Sequence, residues 1–203
     1  MISIDYNLLK GKYVYLEALQ PEHYDVLLRL AKDERIWEFT KTLLINDTYE
    51  QQFREYLNVP LNPANAETIR GFVIRETQTN DIIGMTRFYD IDERNKRLNI
   101  GYTWYLPRVW GKVHNKECKL LLLNYVFDKL NFNRAGFEVA HQNIRSQKAV
   151  EKIGGVREGE LRKYAIRPDG VLRNTVIFSI INDEWPTKKA RLLKMVADSS
   201  VNN

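Results

Sequence analysis

Gly101-Tyr-Thr-Trp-Tyr-Leu-Pro-Arg-Val-Trp-Gly-Lys-Val-His-Asn-Lys-Glu117 joins two stretches of different hydrophobic period. A strand-like run ends at Pro107, and Gly111 falls in a tight basic connection. Apolar residues then recur at spacings of three and four from Cys118 to Tyr125, as in a helix. A strand, a tight turn and a helix start can aim several backbone N–H groups at a phosphate. The stretch therefore predicts a phosphate-bearing cofactor, with an ordinary strand-to-helix crossover as the alternative.

Length and composition are those of a folded domain. The chain has 203 residues, with 44% hydrophobic and 28% charged residues. That length accommodates one domain with a full core and is short for two. We predict a single domain over residues 1–203, with its core at about 13–181 and a tail helix at 184–196. The one cysteine, Cys118, excludes an internal disulfide and makes a reducing compartment the default.

Several classes of function are disfavoured. The first residues lack the basic-then-apolar pattern of a signal peptide, and no apolar run approaches the roughly 20 residues that span a bilayer. We therefore expect a cytoplasmic protein without membrane contact. The net charge is +5, but basic and acidic residues are interleaved, so we expect no nucleic-acid partner. His23, His114 and His141 lie far apart in sequence, and we expect no metal.

The order of predicted elements is a strand, two helices, three antiparallel strands, a helix, a strand, a helix and a hairpin. This order predicts an α+β fold. The hairpin turns at Arg167-Pro-Asp-Gly170. A basic tail helix follows it and packs on the surface or across a homodimer. The predicted strands are 12–19, 72–77, 82–89, 98–105, 136–141, 164–166 and 176–181, and the predicted helices are 21–32, 49–60, 114–130, one running through Ile153, and 188–196.

Two segments carry a family resemblance. The first is Trp110-Gly-Lys-Val-His-Asn-Lys-Glu117. The second is Asn143-Ile-Arg-Ser-Gln-Lys-Ala-Val-Glu-Lys-Ile-Gly-Gly155, followed by Glu158-Gly-Glu-Leu-Arg162. With the element order, they make residues 13–181 similar to the GNAT superfamily of N-acetyltransferases. The branch they resemble is that of the ribosomal-protein N-terminal acetyltransferases. The resemblance implies a single GNAT-like domain with a mixed central sheet of about six to seven strands, flanked by helices and splayed at the cofactor site.

The first segment departs from the common family pattern. Anchoring the motif on Glu117 places the family's Gln or Arg at Trp110, its glycine at Val113 and its small residue at Asn115. A register that uses Gly111 as the glycine loses Glu117, and we prefer the first. Because backbone N–H groups bind the phosphates, these side chains can vary where the backbone dihedrals permit.

The resemblance implies acetyl-CoA as the co-substrate. It would lie between the strands that end near Tyr105 and His141, where backbone N–H groups can polarise the thioester carbonyl. Ser146 would then donate a proton to the departing thiolate or hydrogen-bond its charge, and a tyrosine acid common elsewhere in the superfamily is replaced by Val150. The cofactor-binding residues implied are Trp104, Tyr105, Leu106, Gly111, Lys112, Val113, Asn115, Lys116 and Asn143.

The acceptor side lacks the family's usual base. We assign Asn99 and Tyr102 to substrate binding, and Asn99 stands where relatives often have an acidic residue. An amide takes no proton, whereas a peptide α-amine, with a pKa near 7.7–8, is already partly neutral at physiological pH. The sequence therefore favours a protein or peptide N-terminal α-amine as acceptor. Glu158 and Glu160 are the alternative bases, although Glu158 is equally suited to pair with Arg162.

Two other functions stay open from the sequence. The first is acetylation of a small-molecule amine, such as a polyamine or an aminoglycoside. An acidic acceptor cleft would favour those polycations, and an open neutral groove would favour a peptide. The second is a non-catalytic sensor that binds acyl-CoA.

Overall fold

A seven-stranded sheet forms the centre of the computed structural model, which describes residues 2–42 and 45–199. Its strand order is β1-β2-β3-β4-β5-β7-β6. Neighbours are antiparallel except β4 and β5, which are parallel, so the predicted mixed sheet is confirmed. The strands are β1 Val14–Ala18, β2 Arg70–Glu76, β3 Ile82–Asp92, β4 Arg97–Tyr105, β5 Arg134–Ala140, β6 Val156–Ile166 and β7 Leu172–Ile181.

The helices cover both faces of this sheet. They are α1 Tyr24–Leu30, α2 Glu34–Trp37, α3 Tyr49–Leu61, α4 His114–Asn124, α5 Ile144–Lys152 and α6 Trp185–Asp198. The alternation in β2 shows the two-sided burial: Phe72 and Ile74 belong to the core shared with α4 and α6, whereas Val73 belongs to the core shared with α1, α2 and α3. A strand buried on both faces reads as a continuous apolar run.

Several elements differ from the sequence prediction in extent, and β3 and β7 are three and four residues longer than predicted. The helix predicted over 21–32 begins as a 3-10 turn, Pro21–His23, and α2 was not predicted because it is a single turn. The central helix ends its regular part at Asn124 and continues as a π turn, Tyr125–Lys129. β6 is much longer than the predicted 164–166, because it is an edge strand exposed along most of its length and carries little hydrophobic signal.

The tail helix α6 packs against its own chain. Trp185 and Leu192 are buried in the core cluster that contains α4. The Trp185 indole nitrogen donates to Asp128 at 3.2 Å, and its ring lies 5.3 Å from that of Phe127. The apolar side of α6 is therefore part of the fold itself.

β4 and β5 diverge beyond their first three residue pairs. They pair from Arg97 with Arg134 to Asn99 with Gly136, and then separate. Tyr102, whose φ is 50°, sits in a bulge of β4 at the register shift between Met85 and Arg87. A bulge adds twist to its strand, which carries β4 away from β5. The predicted splay of two parallel strands is thus confirmed.

None of the described helices is both long enough and apolar enough to cross a membrane.

Candidate active site

A cavity of about 300 Å³ opens between the diverging ends of β4 and β5. Its walls come from both strands, from the start of α4, from α5, and from the segment that follows α2. Twelve residues were assigned to the site from the sequence. The seven that line the cavity are Tyr102, Trp104, Tyr105, Gly111, Asn115, Asn143 and Ser146, and the five that do not are Asn99, Leu106, Lys112, Val113 and Lys116.

The start of α4 forms one end of the cavity. The helix has no side-chain cap at Val113, so the N–H groups of its first turn keep their hydrogen-bonding capacity. Gly111 has a φ of 76°, a left-handed conformation that favours glycine, and a β-carbon there would meet nothing within 4 Å. Free N–H groups, a positive helix end and an open approach fit the phosphates of acetyl-CoA.

The five outlying residues have other surroundings. Val113 is buried, and Lys112 is exposed. Lys116 donates to the Ser199 hydroxyl at 3.1 Å, at the end of α6. The Asn99 amide donates to Asp90 at 3.0 Å. Leu106 packs against the core that contains α1, α2 and α3.

Asn143 and Ser146 meet at the start of α5. The Asn143 Oδ1 atom accepts a hydrogen bond from the Ser146 backbone N–H at 2.9 Å, which makes Asn143 the N-cap of the helix. Both residues also line the cavity. Capping uses only the Oδ1 atom, so the Nδ2 group and the Ser146 hydroxyl are separate hydrogen-bonding groups on the cavity wall.

Aromatic rings line the other end of the cavity, on the sheet face covered by α1, α2 and α3. The rings are those of Trp37, Tyr56, Tyr89, Tyr102 and Trp104. Arg87 lies behind two of them, with its guanidinium 4.0 Å from the Tyr56 ring and 4.7 Å from the Tyr102 ring. Burial raises the pKa of both tyrosines, so their hydroxyls are neutral at physiological pH. This end offers stacking surface beside neutral hydroxyls.

Positive charges outnumber negative ones on the described lining. Glu138 on β5 supplies the one carboxylate, and its Oε2 atom lies 3.6 Å from the Lys41 Nζ atom. Arg173 is 6% exposed, and its Nε atom is buried without a hydrogen-bond partner. Arg145 stacks on Trp110, with its guanidinium 3.9 Å from the ring. The charged lining residues are Lys41, Lys119, Glu138, Arg145 and Arg173.

The carboxylates considered from the sequence lie elsewhere. Glu158 accepts hydrogen bonds from Arg134 and from the Ser179 hydroxyl, and the Arg134 guanidinium holds the pKa of Glu158 down at about 2. Glu160 accepts from Asn174 at 2.8 Å and pairs with Arg157. Neither lines the cavity. Glu158 is therefore a structural partner, of Arg134 rather than of Arg162.

Five charged lining residues were missed by sequence reasoning, and three of them left a usable signal. Arg145 lies between Asn143 and Ser146 at the start of α5. Lys119 follows Asn115 by four positions and so shares its face of α4. Glu138 follows Gly136 by two positions in β5 and so shares its face of the sheet. Arg173 and Lys41 reach the cavity from β7 and from the segment after α2, and no local pattern predicts that contact.

Within the described residues, no group of three or more His, Cys, Asp or Glu side chains is arranged to hold a metal ion.

Comparison with known proteins identifies the family of this chain. A family model described as the acetyltransferase (GNAT) domain matches residues 14–156. The chain therefore belongs to the GNAT acetyltransferases, which confirms the resemblance seen in the sequence. It is an acetyl-CoA-dependent N-acetyltransferase.

Three similar proteins illustrate the relationship. The Bacillus subtilis (strain 168) protein named "Putative ribosomal N-acetyltransferase YdaF" is 27% identical over 185 residues, covering 83% of this chain and 96% of the relative. The solved structure of a GCN5-related N-acetyltransferase from Brucella melitensis is 24% identical, with a TM-score of 0.82, and covers 93% of this chain and 84% of that one. The structure of spermidine N-acetyltransferase from Vibrio cholerae, solved with CoA and spermine, is 19% identical, with a TM-score of 0.70. The match covers 87% of this chain and 99% of that one.

Proposed function

We propose that this acetyltransferase acts on the N-terminal α-amine of a protein or peptide. The observation that carries the proposal is the charge outside the donor end: two cationic side chains, Lys41 and Arg173, and one carboxylate, Glu138, line that part of the cavity. A polyamine or an aminoglycoside carries several positive charges, which such a lining repels. An α-amine brings one positive charge and sits on a chain that can stack against aromatic rings.

The residues divide into a donor end and an acceptor end. At the donor end, the first turn of α4 and Arg145 hold the phosphates of acetyl-CoA, and Asn143 holds its amide arm. Acetyl-CoA supplies an activated acetyl group as a thioester. Backbone N–H groups of β4 beside the Tyr102 bulge polarise the carbonyl, and Ser146 donates a hydrogen bond to the departing sulfur.

At the acceptor end, Glu138 takes the role that an acidic residue at the position of Asn99 has in relatives. Its carboxylate binds the acceptor ammonium group and accepts a proton from it, directly or through water. Tyr102, Tyr89 and Tyr56 surround the acceptor and exclude water. Asn99 itself lies outside the cavity, paired with Gly136 of β5, and helps to set the position of β4.

The name of one relative supports this choice of acceptor. YdaF, which covers most of this chain, is named "Putative ribosomal N-acetyltransferase". The spermidine enzyme is alike in fold at 19% identity, so its small polycationic acceptor is the main competing candidate. The excess of cations outside the donor end argues against that candidate.

A matched acceptor panel tests the proposal. Acetyl-CoA is supplied with a peptide that has a free N-terminus, with the same peptide blocked at its N-terminus but carrying a lysine, with spermidine, and with an aminoglycoside. Thiol release and the mass of each product are measured. We expect acetylation of the free N-terminus with a kcat/KM at least about tenfold above the others. Preference for spermidine or the aminoglycoside would overturn the choice of acceptor.

A further inference from the structure

Lys119 is a buried cation in the donor half of the cavity. It lies on α4 one turn after Asn115, on the same face of the helix, and is 6% exposed. Its Nζ atom donates to the Thr103 hydroxyl at 2.8 Å, and that hydroxyl also lies 2.7 Å from the Thr86 hydroxyl. Thr103 follows the bulge residue Tyr102. Lys119 thus reaches the part of β4 that has already separated from β5, beside the bulge.

No carboxylate of the described chain lies within ion-pair distance of Lys119. On its own helix, Glu117 is turned away and accepts from the backbone of β1, and the Cys118 thiol has its pKa raised by burial. On β4, burial raises the pKa of the Tyr105 hydroxyl as well. The neighbours on β4 and α4 therefore supply no negative charge at physiological pH.

The groups on the remaining elements do not change this balance. β3 contributes the neutral Thr86 hydroxyl, and α5 contributes the neutral Ser146 hydroxyl to the same cavity wall. The Glu138 carboxylate pairs with Lys41. A buried cation without a counter-charge costs several kcal/mol, so the cation has no stabilising role in the folded protein alone.

We propose that the Lys119 ammonium group stabilises the thiolate of CoA and gives it the proton that turns it into a thiol. Lys119 lies about 6 Å further along α4 than Asn115. A molecule whose phosphates bind at Gly111 and Asn115 therefore passes Lys119 before it reaches the bulge at Tyr102. This inference rests on the use of acetyl-CoA and is independent of the acceptor.

The bond changes balance without any further reagent. The acceptor nitrogen bonds to the acetyl carbon, the carbon–sulfur bond breaks, and the sulfur keeps the electron pair. One proton passes from Lys119 Nζ to the sulfur, and the proton released by the acceptor nitrogen goes to Glu138 or to solvent. Lys119 then regains a proton from water.

The surroundings of Lys119 suit this transfer. Burial lowers the pKa of its ammonium group, which makes Lys119 a stronger proton donor to a thiolate than an exposed lysine is. Ser146 can add a hydrogen bond to the sulfur but brings no charge, so the two residues have separate effects.

The test is the titration of the CoA thiol in the binary complex, followed by the ultraviolet absorbance of the thiolate. With the wild-type protein saturated with CoA, we expect the pKa of the bound thiol to fall by about one unit below that of free CoA. Lys119→Met should abolish the shift while calorimetry still detects CoA binding. Lys119→Arg, which keeps the charge, should retain it. Lys148→Met, at an exposed position of α5 outside the cavity, is the matched control and should retain it fully.

The outcomes are separable from those of the acceptor panel. An unshifted thiol pKa in the wild-type complex overturns the inference even if peptides are acetylated. An equal shift in Lys119→Met overturns it as well. A shift that depends on Lys119 supports it even if no peptide is acetylated. Thermal unfolding gives a second check, because Lys119→Met should not lower stability, whereas a merely structural lysine would.

Discussion

The Glu117 carboxylate accepts a hydrogen bond from the backbone nitrogen of Val14 at 2.7 Å. It also accepts from the backbone nitrogens of Lys12, at 2.9 Å, and Tyr13, at 2.6 Å. Glu117 is 4% exposed. This residue, which anchors the family motif in the sequence, therefore fastens the first turn of α4 to the beginning of β1. It holds the cofactor end of the cavity in place without lining it.

Glu117→Gln should destabilise the protein by about 3 kcal/mol. A glutamine amide brings two donors toward three backbone donors, so at least one of them loses its charge-assisted acceptor while buried. Urea unfolding measures the change. Glu50→Gln, at an exposed position of α3, is the control and should be within about 0.5 kcal/mol of wild type. Similar losses in both variants would contradict the role of Glu117.

Gly111→Asp and Gly111→Asn form a matched pair for phosphate binding. Both residues tolerate the left-handed backbone of Gly111, and the space around its β-carbon is open. Only the aspartate adds a negative charge, which repels the phosphates of CoA. Calorimetry should give a CoA Kd at least about tenfold higher for the aspartate variant than for the asparagine variant. Equal Kd values would mean that the phosphates bind elsewhere.

Ser146→Ala should lower kcat by roughly 10- to 100-fold with little change in the Kd for CoA. A hydrogen bond to a charged group contributes about 1.5–3 kcal/mol, and here it forms only as charge develops on the sulfur. Rapid-quench kinetics can separate the chemical step from product release. The Asn143 cap and the start of α5 should persist, because the capping bond uses only the Ser146 backbone. An unaltered chemical step would leave Ser146 with a structural role alone.

Glu138→Gln should change the pH dependence of kcat/KM. With the wild-type base in place, the acidic limb of the pH profile of kcat/KM should keep one apparent pKa, whatever the basicity of the acceptor amine. In Glu138→Gln, that limb should instead move with the pKa of the acceptor, since only the neutral amine can then react. Two peptides with N-terminal amines of different basicity provide the comparison. A wild-type limb that already tracks the acceptor would exclude Glu138 as the base.

Glu158→Gln should lower stability at pH 7 and much less at pH 2. Hydrogen bonds from Arg134 hold the folded-state pKa of Glu158 at about 2, below the ordinary value of about 4.5. Its stabilising contribution is therefore complete above about pH 4.5 and is lost as the pH falls toward 2. Because the side chain is 38% exposed, we expect no more than about 1 kcal/mol at pH 7. Unfolding experiments at both pH values, with Glu151→Gln as the control, check this difference.

The sequence was most informative where local pattern and tertiary role coincide. β4 was predicted within one residue, because its apolar alternation and Pro107 mark it locally. Gly111 was predicted from the local pattern, as the glycine of a tight turn. Asn143 and Ser146 were predicted because they match the Asn-x-x-Ser motif of the family, and both line the cavity.

The missed residues depend on long-range contacts. Arg173 lies on β7, and Lys41 precedes a part of the chain that carries no periodic pattern. Arg173 meets β5 because the sheet order places β7 beside it, whereas Lys41 reaches Glu138 of β5 from the segment after α2. The assignment of Val113 and Lys116 to the cofactor came from the family motif. In this chain Val113 is buried, and Lys116 bonds to Ser199 because the end of α6 lies beside the start of α4.

The narrow end of the strand opening has a consequence for directed evolution. Asn99 and Gly136 are the last paired residues before β4 and β5 separate, and the Asn99 side-chain oxygen occupies the space of a β-carbon at position 136. Any larger residue at 136 must displace that amide, and where the amide does not rotate away, the two strands must move apart at this pair. A library at position 136 would therefore vary the aperture for longer acyl groups or bulkier acceptors while leaving every residue on the cavity wall as it is.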